Sequence, residues 1–482
     1  MPKLTRRQVL TATSAAAGPF IVRRDALGQR GERPNLVFLL GDDHRWDALG
    51  CMGNRIIQTP RIDALAANGS RFNNMFVTTA ICVISRASMF TGLYARSHGI
   101  LRFHDEFPKE RFERSYPFLL KQAGYRNGFI GKWGIDGGEL PKYAFDYFRG
   151  FQGQGQYFPG PGHTGKHLTE QMGDQMLEFV EGCSPSQPFH LSVSFKAPHV
   201  QDPDPLQFLP DPKYSHLYRD VEIPMPETAA PEYIAQLPAS VQGSEARRRW
   251  AVRFSTPELY QRSVKNYYRL IAGIDEQVGR LREALDRRGF SENTVIVYAG
   301  DNGFYLAEHG LAGKWFMHEE AIRVPLVIYD PRAPQAQRGQ ALEPMALNID
   351  IGPTLLSYAG IPLAPATQGR ALQPLLRGQR SAWRSDWFYE HRFAHDWIPQ
   401  TEGVRSSDWK YTRYLNEAPL FEELFHLRTD RDETQNLARR PEHASRLAGL
   451  RKRREEWLSA LAQWTPDCDW RSLEPSPQSV AN

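Results

Sequence analysis

The sequence is short of cysteine, of net charge and of long apolar runs, and each shortage closes off a class of protein. Four cysteines in 482 residues, Cys51, Cys82, Cys183 and Cys468, are too few and too scattered for a disulfide-stapled scaffold, although a single bridge such as Cys183 to Cys468 stays open. No pair of them has the spacing of a zinc site. The net charge of +4 is too small to argue for a nucleic acid partner or a charged membrane surface. No run reaches the ~20 apolar residues of a membrane span, so stable membrane insertion is not expected. With 41% hydrophobic and 24% charged residues, the remainder reads as an ordinary globular protein. Its length suggests roughly two or three domains.

The first residues stand apart. A basic start (Lys3, Arg6, Arg7) runs into an Ala- and Thr-rich apolar stretch that ends near Arg23 and Arg24, with the small residues Ala26 and Gly28 beyond. This layout predicts a signal peptide over residues 1–28, and TRRQVL resembles a twin-arginine signal. The expected destination is the periplasm or the medium. Because that route carries folded proteins, any modification of the unfolded chain would have to precede export.

Short apolar runs that look like buried strands end in polar clusters. NLVFLL stops at Gly41-Asp42-Asp43-His44, GFI at Gly131-Lys132-Trp133-Gly134, FHLSVSF at Lys196-Ala197-Pro198-His199, and TVIVYA at Gly300-Asp301-Asn302-Gly303. Amphipathic helical patterns lie between them, such as residues 263–289 closed by Gly289. Strands alternating with helices predict an α/β fold, a large mostly parallel sheet flanked by helices, over residues 33–378. In such sheets ligands bind beyond the carboxyl ends of the strands, where these clusters fall. Residues 200–255, rich in proline and charge, read as a surface excursion near that edge. FYEH, DWKYTRY and EELFHL look like strands and residues 441–464 like a helix, which predicts a smaller C-terminal α+β domain over residues 379–464. Residues 465–482 are expected to be an irregular tail.

Asp42, Asp43, Asp301 and Asn302 make a hard oxygen set that suits Ca²⁺ or Mg²⁺ rather than zinc. Around it the candidate cations are Arg86, Lys132, Lys196, His199, His309 and Lys314, which would cradle a tetrahedral oxyanion. Cys82, in AICVISRASMFTG, falls at a predicted helix N-terminus, where exposed N–H groups also favour negative charge.

Taken together, NLVFLLGDDHRWDALGC, CVISRASMFTG, NGFIGKW, FKAPH and GDNGFYLAEHGLAGKWFMHEEAIRVPLVIYDP resemble the type I sulfatases of the alkaline phosphatase superfamily. NIDIGPTLLSYAGI, QGRALQPLL, EGVRSSDWKYTRY and EELFHLRTDRDETQNLA extend the likeness over nearly all of the chain after residue 33. The resemblance implies that Cys82 is converted to Cα-formylglycine by a formylglycine-generating enzyme before folding, and that the hydrate of this aldehyde attacks the sulfur of a sulfate ester. It implies Asp42, Asp43, Cys82, Asp301 and Asn302 as metal ligands. Arg86 would steady the modified residue, and Lys132, His199 and Lys314 would hold the sulfate, with His199 or Lys314 protonating the leaving oxygen. Residues 390–405 are similar to the substrate-facing part of relatives that act on sulfated sugars, which makes His391, His395 and Arg405 candidates for sugar contacts. Two positions depart from the family pattern. Ile84 stands where the modification motif has proline, and Gly134 where many members have the histidine thought to take a proton from the hydrate. The readings that follow are a sulfatase acting on a sulfated carbohydrate or other sulfate ester, a phosphonate monoester or phosphodiester hydrolase, or a catalytically silent protein that binds sulfated glycans.

Overall fold

The computed structural model describes residues 33–380 and 383–476. The expected signal peptide lies outside these residues. The main sheet contains β1 (Asn35–Asp42), β2 (Ser70–Phe72), β3 (Arg126–Lys132), β4 (Tyr147–Phe151), β5 (Phe189–Pro198), β6 (Thr294–Gly300), β7 (Leu326–Tyr329) and β8 (Gln340–Leu342). They lie in the order β8-β2-β7-β6-β1-β5-β3-β4. β6, β1, β5, β3 and β4 run parallel, β7 is antiparallel to both β6 and β2, and β8 is parallel to β2.

Burial of the central strands on both faces follows from their sequence. Along β1, Leu36, Phe38 and Leu40 enter one core and Val37 and Leu39 the other, as the two-residue period of a strand requires. The second core is covered by α2 (Leu168–Glu181) and α4 (Pro257–Arg287) through residues such as Met172, Met176, Val264, Ile271 and Val278. α4 begins six residues before the amphipathic pattern does, because Thr256 caps it, accepting from the Leu259 N–H at 3.2 Å, and Pro257 fits its first turn. The first core is covered by α1 (Cys82–Thr91), which contributes Val83, Ile84 and Ala87. The excursion before α4 folds into short helical turns, including α3 (Glu245–Arg253).

Beyond residue 383 four antiparallel strands form a sheet in the order β9 (Asp386–His391), β10 (Thr401–Ser406), β11 (Trp409–Tyr414), β12 (Phe421–His426), with α5 (Ala444–Ala462) following. Trp387, Phe388, Val404, Tyr411 and Leu424 from this sheet join the same core as α1. β10 was not among the expected strands. The tail also differs from expectation up to residue 476, since Trp470–Leu473 forms a helical turn with Trp470 fully buried. All four cysteines are free, so the open bridge from Cys183 to Cys468 is not formed.

α5 is tied to the sheet by Asp386, which accepts from Trp457 Nε1 at 2.7 Å and from Arg453 Nε at 3.1 Å. Removing Asp386 leaves the buried Arg453 guanidinium with Glu456 as its one carboxylate, at 2.8 Å, and strips the buried Trp457 N–H of its acceptor. Asp386→Ala is expected to lower unfolding stability by about 3 kcal/mol, read by chemical denaturation. An unchanged midpoint would mean that the other contacts of α5, the pairs Arg454 with Glu402 and Arg451 with Glu422 among them, carry its docking.

Candidate active site

Strand register assembles the cluster. Gly41 lies opposite Gly300, which sets Asp42 and Asp43 beside Asp301 and Asn302, and Asp42 lies opposite Pro198, next to His199. Gly131 opposite Ser194 brings Lys132 to the same edge. Asp43 adopts φ +64°, a left-handed turn that aspartate tolerates better than most residues. Its N–H donates to Asp301 Oδ1 at 3.0 Å, and the Tyr267 hydroxyl donates to its carbonyl at 2.6 Å.

Cys82 is the first residue of α1 and faces this edge. Its thiol donates to Asp42 Oδ1 at 3.3 Å, and Lys314 Nζ reaches its sulfur at 3.0 Å. Lys314 also pairs with Asp43 Oδ1. Lys132 Nζ donates to Asp42 Oδ2 at 2.5 Å and to Gln154 Oε1 at 2.6 Å. Arg86, one turn along α1, donates through Nε to Asp301 Oδ2 at 2.9 Å and through Nη1 to the Lys132 carbonyl at 2.7 Å and to Ser194 Oγ. Its other nitrogen lies 3.3 Å from Asp42 Oδ2.

The charges set one another. Burial raises the Asp42 carboxyl, but Lys132 and Arg86 outweigh it and hold it well below the carboxylate range. Burial, then Asp42, brings Asp301 up to about 6. Burial also keeps Asp43 above its ordinary value, against Lys314. Burial and Asp42 push the Cys82 thiol up to about 12, so the surrounding cations do not make it a thiolate. His199 is held well below its ordinary value by burial, with Lys314 and Lys132 adding to it, and is neutral.

The set fits a divalent cation. Ligating atoms of Asp42, Asp43, Cys82 and His199 all lie within 4.8 Å of one another. His199 Nδ1 lies 2.6 Å from the Val200 carbonyl, so the neutral ring carries its proton there and turns the lone pair of Nε2 toward Asp43 Oδ2, 3.6 Å away. Two lone pairs facing each other call for a positive charge between them. Asn302 donates to Asp43 Oδ1 at 2.6 Å and leaves its own buried Oδ1 without a partner. Asp301 has one oxygen on the Asp43 N–H and the other on Arg86, an engagement no greater than that of Asp42 with Cys82, Lys132 and Arg86.

The remaining candidates scatter. Lys196 donates to the Val200 carbonyl at 3.0 Å and lies over Tyr157, 5.0 Å from the ring centroid, and burial brings it down to about 8. His309 stacks on His318 at 4.4 Å rather than meeting the carboxylates. Arg405 is buried, bonded to Glu319 at 3.3 Å and lying over Phe76. His391 is buried at the end of β9, and His395 is exposed on the loop that follows. Sequence reasoning missed Gln154 and Ser194. Gln154 sits in a glycine-rich loop with no motif, and Ser194 follows the inward alternation of β5, which makes it legible only once Arg86 is known to face that strand.

The sulfatase family model matches residues 34–361, and the model described as N-sulphoglucosamine sulphohydrolase, C-terminal, matches residues 307–459. An N-acetylglucosamine-6-O-sulfatase of Bacteroides thetaiotaomicron is 27% identical over 507 residues, which cover 90% of this chain and 88% of that protein. A solved structure in complex with its substrate D-glucosamine-2-N,6-O-disulfate has a TM-score of 0.79 and 26% identity, covering 90% of this chain and 99% of the other. The phosphonate monoester hydrolase of Agrobacterium radiobacter shares the fold at a TM-score of 0.70 and 21% identity, covering 89% and 96%.

The two unusual positions have local explanations. Ile84 falls in the first turn of α1, where N–H groups have no partner within the helix; the first such bond is Ser85 N–H to the Ile81 carbonyl at 2.9 Å. Proline would fit there without losing a bond, and isoleucine instead adds a fully buried side chain. Gly134 has φ +81°, and a Cβ added there would lie 2.6 Å from Arg86 Cδ. The arginine occupies the space a side chain at 134 would need. Gly134→His is therefore expected to lower stability by about 1–3 kcal/mol in denaturant unfolding, from left-handed strain and displacement of Arg86. A variant as stable as the parent would show that Arg86 has a second resting place.

Proposed function

The chain belongs to the sulfatase family and hydrolyses sulfate esters; we propose that its substrate is a sulfated carbohydrate and that Cys82, as Cα-formylglycine, provides the nucleophile. The observation that carries the second part is the seat of Cys82, on the first turn of a helix between Asp42 Oδ1 at 3.3 Å and Lys314 Nζ at 3.0 Å. Its sulfur stands where an oxygen of the modified side chain would sit. A formylglycine hydrate beside a divalent cation supplies a strong oxygen nucleophile at neutral pH. Asp42, Asp43, Cys82, Asp301 and the free oxygen of Asn302 would hold that cation, with His199 added to the set by its free Nε2. Ca²⁺ or Mg²⁺ suits the carboxylate-rich set best.

The chain's own groups do the rest. Lys132 and Lys314 donate to sulfate oxygens, and the N-terminus of α1 adds its unpartnered N–H groups. Arg86 compensates the charge of Asp301 and Asp42 beside the reacting residue while its Nη1 is anchored on β3 and β5. Of the two candidates for protonating the leaving oxygen, Lys314 carries its proton toward Cys82, whereas the unprotonated Nε2 of His199 would face the cation and has no proton to give. The sulfated-carbohydrate reading draws on relatives described by sulfated glucosamine. Export by the twin-arginine route, with modification completed in the cytoplasm, belongs to the same proposal.

Mass spectrometry of the tryptic peptide spanning Phe72 and Arg86, from protein purified from its native host, is expected to show formylglycine at Cys82. An intact thiol in every molecule would remove the nucleophile. Lys314→Ala is expected to lower aryl sulfate turnover about 10²–10³-fold with metal content unchanged by elemental analysis. Equal loss of metal and turnover would assign Lys314 to holding the ligands instead. Aryl phosphate and phosphonate esters assayed in parallel set the sulfate preference.

A further inference from the structure

The catalytic cluster is closed on most sides. Asp42, Lys132, Asp301 and Asn302 have no exposed surface, whereas His199 and Lys314 retain 5% and 4%. Access therefore lies over these two residues, and two elements flank it there. α3 approaches from one side. Its Arg249 guanidinium lies over the ring of Trp315, next to Lys314, at 5.2 Å, and pairs at 3.4 Å with Asp202, three residues beyond His199. The loop 392–400 approaches from the other side. It leaves β9 just after Glu390, whose carbonyl accepts from Thr79 Oγ1 at 2.7 Å, three residues before Cys82.

The two elements meet. The Glu245 N–H at the start of α3 donates to the Trp397 carbonyl at 2.8 Å, which pins the loop onto the helix. Beside that bond the Trp397 ring stands 48% exposed, with the Arg248 guanidinium 3.6 Å from its centroid. The neighbouring arginines are committed: Arg247 to the Gly310 carbonyl, Arg249 to Glu245 and Asp202, Arg253 to Asp202 and Gln207. Arg248 has no carboxylate partner among the described residues, and Asp396, exposed beside Trp397, does not reach it. A half-open indole plate with an unpaired guanidinium stacked on it is not required by the fold. Such a pair can take the apolar face of a sugar ring on the indole and a sulfate or carboxylate on the guanidinium.

We infer that Arg248 and Trp397 form an outer subsite that holds a second, anionic sugar unit of the substrate, next to the one whose sulfate enters the cluster. The inference rests on the sulfated-carbohydrate reading and narrows it to chains of at least two sugar units. Charge decides for this occupant over an apolar protein partner. The plate carries an uncompensated cation, and the committed arginines around it keep the local potential positive.

The test uses the full chain in a Cys82→Ser background that blocks turnover, with the monosaccharide D-glucosamine-2-N,6-O-disulfate and a heparin disaccharide as probes in titration calorimetry. The disaccharide is expected to bind roughly tenfold tighter than the monosaccharide, the step expected of one cation–π platform with a charge contact. Trp397→Ala and Arg248→Ala should each reduce that step to within about twofold. Both side chains are half-exposed or exposed, and melting temperatures of the variants verify that they fold. A step that persists in both variants, or no step in the parent, overturns the subsite. Aryl sulfate hydrolysis by the unsubstituted protein reports on the sulfatase reading by itself. If it fails while the size step stands, the subsite survives as a glycan-binding feature.

Discussion

A carboxylate taken out of water persists only beside compensating charge, and at this sheet edge three are taken out of water together. Asp42, Asp43 and Asp301 are buried against Arg86, Lys132 and Lys314, and the pairing is not one to one. Asp42 serves Lys132 and Arg86, Arg86 serves Asp42 and Asp301, and Lys314 serves Asp43 and the Cys82 sulfur. Asp42 and Asp43 come from the end of β1, Lys132 from the end of β3, Asp301 from the end of β6, Cys82 and Arg86 from α1, and Lys314 from a turn. The parallel register, the placement of α1 and the turn that delivers Lys314 must all be right at once for any member to be satisfied. Bringing such a cluster together without an ion leaves lone pairs facing each other, at His199 with Asp43, and an orphan oxygen on Asn302. The protein alone thus stores an unmet demand for positive charge where a divalent ion meets it.

Cover over the cluster comes from segments distant in sequence. The C-terminal sheet shares its core with α1 and sends the carbonyl of Glu390 to Thr79, so the segment entering Cys82 is fixed by a strand more than three hundred residues later in the chain. Tyr389 adds to this, with its hydroxyl on the Trp315 carbonyl at 2.7 Å and accepting from the Ala80 N–H at 3.4 Å. The same strand therefore braces both Cys82 and the turn that carries Lys314. A second buried network, Arg405, Lys410, Glu319 and Glu433, locks the joint behind them. Arg405 reads from sequence as a sugar contact because it follows a polar segment of the right kind; its place in this joint depends on partners 86 residues away.

What could be read from the sequence was what chain-local chemistry dictates. Apolar runs ending in Asp-Asp, Lys, His and Asp-Asn pointed to strand ends, and parallel pairing then makes their convergence almost unavoidable. The cation cluster around Cys82 was legible for the same reason. The commitments of individual groups were not. His199 read as a sulfate contact, and only the bond of its Nδ1 to the Val200 carbonyl shows which nitrogen faces the carboxylates. His309 lies close to Lys314 in sequence, yet a left-handed turn at φ +54° directs it onto His318. β10 was hidden because TEGVRS has little β-branched character and is held as a strand by its neighbours on both sides. The docking of Trp470 likewise depends on a pocket beside Trp457 that no local pattern announces.

The departures at Ile84 and Gly134 bear on different links of the argument. Ile84 changes what a modifying enzyme would meet in the unfolded chain, while in the folded protein it occupies a helix position that asks only for a buried apolar side chain. Gly134 acts on the folded site. By having no side chain it lets Arg86 lie flat across β3 and β5 and reach Asp42 and Asp301 at once, which a bulkier residue would prevent. The family's histidine and this arginine pose therefore compete for one space. A chain that chooses the arginine gains a second compensating contact for its buried carboxylates and gives up a proton acceptor. The neutral imidazole of His199 does not refill that role while its one free nitrogen faces Asp43 across the place the cation would take.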